Sequence, residues 1–122
     1  MHAEHGRALC EAAVTLADRG HAAAIVAVTR GGNTARMLST FRPQAMILAA
    51  TGLADVARRL LLYRGVFPIV TPLGEDVDAA GDAIGRELLS LGLVKSGDEI
   101  VFVSVHEDLR QPAANFLKLH RV

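Results

Sequence analysis

The residues best suited to chemistry form one short run, Thr29-Arg30-Gly31-Gly32-Asn33-Thr34. Two hydroxyls, a guanidinium, an amide and two glycines suit the holding of an anion better than the breaking of a bond. Gly31 and Gly32 can take backbone angles that other residues avoid, and they let a ligand approach the main chain closely. Asn33 or Thr34 can cap a following helix, leaving free N–H groups and a positive dipole end facing out of the loop. That geometry attracts phosphate. The run also reads as a plain strand-to-helix turn, and the local residues do not separate the two readings. It is not a P-loop, lacking the Gly-Lys-Ser/Thr ending, nor a dinucleotide fingerprint with three spaced glycines. No acidic residue ends the second strand to hold a ribose, so a nicotinamide site is not expected.

Elsewhere the candidates are thinner. Thr29, Thr51 and Thr71 end three successive strands and set hydroxyls along one edge, although threonine often serves there only as a terminator or cap. Ser104, His106 and Asp108 alternate along one segment. A catalytic triad assembles from separate elements, each group oriented by the next, and side chains along one strand cannot do this. His2, His5, His21, His106 and His120 have no partners at zinc-site spacing. Glu107 and Asp108 make an acidic tip on a loop. No catalytic residue, metal site or cofactor is expected.

The elements that hold these residues alternate. A helix over 3–19 carries Leu9, Ala12, Ala13 and Leu16 as an apolar stripe, and Gly20 is expected to end it. A strand at 23–28 is apolar throughout, as suits burial on both faces of a parallel sheet. A helix over 34–41 turns Met37, Leu38 and Phe41 inward, and Arg42-Pro43 stops it. A strand at 45–50, a helix over 53–62 and a strand at 66–70 follow. Pro68 cannot donate to a ladder, which sends this third strand to an edge or a bulge. The fourth helix runs from Val77 to Leu91 through Ala80, Ile84 and Leu88, with Asp76 and Asp78 complementing its N-terminal dipole. After a turn at 95–98, a strand at 100–105 and a fifth at 115–122 close the chain.

This alternation predicts an α/β fold: a three-layer α/β/α sandwich with a mixed five-stranded sheet of order 3-2-1-4-5. Strand five would lie antiparallel to strand four. The order reverses between strands one and four, where open α/β sheets bind ligands. Thr29–Thr34 would line one side of that crevice and Ser104–Ala114 the other.

The 122 residues suit one domain spanning 1–122, with no internal repeat or linker. Formal net charge is +0, which gives no overall basic surface for nucleic acid. Cys10 is the one cysteine, so no internal disulfide or paired-Cys zinc site can form, and a buried inert thiol is expected. No apolar run reaches the roughly 20 residues that span a membrane, and no signal-peptide pattern opens the chain, so a cytoplasmic protein is expected.

Ala24–Ala35, continued by Arg36 to Ile47, resembles the C-terminal domain of pyruvate kinase, which has a T-x-S-G-R-T-A turn there and then a Y-R-P helix stop. Leu62-Tyr63-Arg64-Gly65-Val66-Phe67-Pro68 is close to that family's L-Y-R-G-V-x-P. Ser96-Gly97-Asp98 and Asn115 to Val122 are similar to bacterial members. The resemblance implies the same sheet order and a domain that performs no phosphoryl transfer. It implies instead a subunit interface, hence a homo-oligomer or partner subunit, and a site for a phosphorylated activator such as fructose 1,6-bisphosphate. Thr29, Arg30, Gly31, Gly32, Asn33 and Thr34 fall on the family's phosphate-cradling loop, with Ser104, His106 and Arg110 opposite as a weaker set. Two departures stand out. Gly31 and Asn33 replace the family's serine and basic residue, and Glu107–Ala114 replaces a Gly- and Thr-rich loop. Glu107 and Asp108 would repel a second phosphate, with Arg110 only partly offsetting them, so a single phosphate or another anion is the expected ligand. The alternatives are a purely structural domain without ligand, or the C-terminal part of an active pyruvate kinase.

Overall fold

The computed structural model describes residues 2–29, 32–63, 65–71, 77–105 and 115–122, for 2–4 and 77–79 the backbone alone. The elements run α1 (His2–Gly20), β1 (Ala24–Val28), α2 (Asn33–Thr40), β2 (Met46–Thr51), α3 (Ala54–Leu60), β3 (Val66–Val70), α4 (Val77–Ser90), β4 (Glu99–Ser104) and β5 (Phe116–Arg121). They form one five-stranded sheet of order β3-β2-β1-β4-β5. β1 is parallel to β2 and β4, β2 is parallel to β3, and β5 is antiparallel to β4. The expected sheet order and directions are those observed.

A strand flanked on both sides must be apolar on both faces, and β1 is. Ala24, Ile25, Val26 and Ala27 have no exposed surface. Ile25 and Ala27 join Ile47, Ala49, Val101 and Val103 in a core against α1, α2 and α3. Ala24 and Val26 join Leu48, Ala50, Ile100 and Phe102 in a second core against Ile84 and Leu88 of α4. The three layers are therefore three helices, the sheet, and one helix. β3 lies at the edge, where one side has no ladder partner and Pro68 is tolerated.

Two expectations about α1 are corrected. Of the expected stripe Ala13 is buried and Leu9 half-buried against the core, but Ala12 and Leu16 are exposed, and the buried face is completed by Gly6, Cys10 and Ala17. The helix lies too close to the sheet for large side chains. A Cβ on Gly6 would fall 2.8 Å from Cγ1 of Val105. Nor does Gly20 supply the left-handed residue that ends the helix. It is the last helical residue, and His21 turns the chain at φ 55. The Ala22 N–H then bonds the Ala17 carbonyl at 2.9 Å, closing a Schellman-type end. α2 stops where Arg42-Pro43 requires, with Arg42 at φ 49 rather than extended. α3 is shorter at both ends than expected, and α4 closes at Gly92, whose φ is 72. Asp76 lies outside the described residues, as does the side chain of Asp78.

Across the top of α1, Arg7 sits 5.3 Å from the centre of the Phe41 ring, a cation–π contact joining α1 to α2. On the other layer, His120 of β5 lies against α4 beside Gly85, within 3.7 Å of Asp82 and edge-on to Phe102.

Two measurements check this packing. Leu88→Ala, at a fully buried position, is expected to cost about 2–5 kcal/mol in urea unfolding. Leu62→Ala, 85% exposed, should stay within about 0.5 kcal/mol of the parent. Burial also pushes the Cys10 thiol from 9.0 to about 11. The native thiol should therefore resist a disulfide reagent at pH 8 and react when the chain unfolds. Because the unfolded thiol ionises first, its contribution to stability is full below pH 9 and is lost as pH rises towards 11. Cys10→Ala should show a shallower alkaline decline in stability.

Candidate functional site

Where β1 ends, the chain turns through a short loop into α2. The Thr29 N–H extends the ladder by donating to the Ala50 carbonyl at 2.9 Å. Its side chain then folds back: Oγ1 accepts a hydrogen bond from the Gly32 N–H at 2.8 Å, a contact shielded from water. A buried amide left without an acceptor costs about 1–3 kcal/mol, so this bond does much to set the loop.

Gly32 is required on two counts. Its φ is 90, a left-handed angle that side chains disfavour. A Cβ there would also meet Cδ2 of Leu60 at 3.1 Å, so the turn lies directly against α3. Gly32 is the N-cap of α2 and makes no side-chain cap bond. Its carbonyl accepts the first helical bond, from the Arg36 N–H at 3.0 Å. This corrects the expectation that Asn33 or Thr34 would cap the helix. Both are helical, and the hydroxyl that secures the turn comes from Thr29, on the strand side. Asn33 is exposed and its Oδ1 accepts from Arg36 Nη2 at 2.8 Å, while Thr34 is buried.

Of the expected ligand residues, Thr29, Gly32, Asn33 and Thr34 are brought together in this turn. Arg30 and Gly31 lie outside the described residues. On the opposite side Ser104, half-buried, is the last residue of β4. Ala27 of β1 stands level with Val103, which puts Ser104 and Thr29 at the same edge of neighbouring strands. His106, Glu107, Asp108 and Arg110 lie outside the described residues. Of the other strand-end threonines, Thr51 serves its own turn, its Oγ1 accepting from the Leu53 N–H at 3.3 Å, while the Thr71 N–H extends the β2–β3 ladder by donating to the Thr51 carbonyl at 2.9 Å. Among the described residues no three His, Cys, Asp or Glu side chains are grouped to hold a metal ion.

Sequence reasoning missed the close approach of α1 beyond the end of β4: a Cβ on Gly6 would stand 2.8 Å from Cγ1 of Val105 and 3.9 Å from Cε of Met37 of α2. The signal was present, since a glycine inside a helical pattern carries a conformational cost and often has a packing reason. At the other end of the strands, Asp18 Oδ1 accepts from the N–H groups of Gln44 at 3.0 Å and Ala45 at 3.4 Å. These residues line an open cleft of about 220 Å³ with His21, far from the Thr29 turn along the sheet.

Comparison with known proteins places this geometry. A family model described as the pyruvate kinase alpha/beta domain matches residues 7–120. The chain belongs to that family. Its sequence is 42% identical over 80 residues to a pyruvate kinase of Lactococcus lactis, covering 66% of this chain and 16% of that protein. It is 35% identical over 99 residues to one of Staphylococcus saprophyticus, covering 81% and 17%. A crystal structure of pyruvate kinase from Cryptosporidium parvum superposes with a TM-score of 0.83 at 29% identity, covering 95% of this chain and 22% of that one. The same enzyme solved in complex with ADP superposes with a TM-score of 0.84. This pyruvate kinase alpha/beta domain thus spans about a fifth of its relatives' length or less.

Within the domain, the Thr29 turn can be tested directly. Thr29→Val removes the acceptor for the Gly32 N–H and is expected to lower stability by about 1–3 kcal/mol, while Thr29→Ser, which keeps the hydroxyl, should recover most of it. Gly32→Ala should destabilise by at least about 1 kcal/mol, because the left-handed angle and the contact with Leu60 both oppose a Cβ. Urea denaturation of the three variants measures these differences.

Proposed function

We propose that this domain is a non-catalytic regulatory and assembly module of a pyruvate kinase, and that the turn from Thr29 to Thr34 takes a small phosphorylated ligand. The observation that carries the reading is the start of α2, held at the reversal point of the sheet by the buried bond from Gly32 to Thr29. A helix start in that place offers N–H groups without intrahelical acceptors to an anion. Arg30 and Gly31, which stand between Thr29 and Gly32 in the sequence, would add to the same site, and Ser104, His106 and Arg110 would face the ligand from the β4 side. Glu107 and Asp108 favour a ligand with one phosphate over a bisphosphate. In a longer polypeptide the transfer of phosphate from phosphoenolpyruvate to ADP would fall to residues outside this domain. The cytoplasm is the expected location, and a second copy of the domain is the expected partner.

One observation favours a second reading, that of a structural or docking domain without ligand. The Thr29 hydroxyl is already engaged by Gly32, and Gly32 packs on Leu60. Both features would be needed to turn the chain even if nothing bound.

A thermal-shift series separates the two. Inorganic phosphate, fructose 6-phosphate, fructose 1,6-bisphosphate and ADP are each titrated to millimolar levels. A ligand at 100 times its Kd stabilises the folded state by about 2.7 kcal/mol, a readily measured rise in midpoint. The monophosphate is expected to raise it at least as much as the bisphosphate. Asn33→Asp places a negative charge at an exposed position in the turn, compatible with a helix start, and should abolish the rise while leaving the unliganded midpoint near that of the parent. No response to any of the four would favour the structural reading.

A further inference from the structure

We draw no further inference here: the strongest candidate, the apolar edge of the sheet where Phe67 and Val70 of β3 stand exposed, carries nothing because nothing among the described residues shows what covers it.

Discussion

A parallel strand in the middle of a sheet has no face to give to water, and this fold is built around that constraint at β1. Its residues from Ala24 to Ala27 are sealed from both sides. One seal is the layer of α1, α2 and α3, the other is α4. Burial on this scale leaves polar groups only at the strand ends, where the backbone must turn. The Thr29 turn is the consequence: its backbone finishes the ladder with β2, and its hydroxyl satisfies the Gly32 amide that the turn would otherwise strand.

Close approach between layers follows from small side chains, and it accounts for most of what is specific here. Gly6, Cys10, Ala13 and Ala17 let α1 lie near the sheet. Gly32 lets the start of α2 rest on Leu60. Each replaces bulk with proximity. The domain has few aromatic residues, and its layers are held by many short contacts between aliphatic groups at the density of a close-packed interior.

The sheet was legible in the sequence because its signals are strong and local. Continuous apolar runs at Ala24–Val28 and, within β4, from Ile100 to Val103 ask for two-sided burial, and Pro68 asks for an edge. The sequence pattern located the ends of helices less well. His21 and Arg42 take left-handed angles that local preference would assign to glycine, because the surrounding packing outweighs a cost of roughly 1–2 kcal/mol. The α1 stripe held at Leu9 and Ala13 and failed at Ala12 and Leu16 for a related reason: hydrophobic pattern ranks Leu16 above Gly6, whereas distance to the sheet ranks them the other way. At the candidate site, the run of ligand-type residues could be read from the sequence and the capping could not. Gly32 needs no side chain to begin α2 once Thr29 supplies a hydroxyl from the strand, and that contact links residues in different backbone states.

We propose that an anion binds this domain at the start of α2. Titrating the folded protein with inorganic phosphate while recording backbone amide resonances tests it most directly. Saturable shifts confined to Gly32, Asn33, Thr34 and Ala35, with little movement at the Asp18–His21 cleft, are the predicted result. Amides at the turn that stay fixed at millimolar phosphate, or shifts concentrated elsewhere, would contradict it.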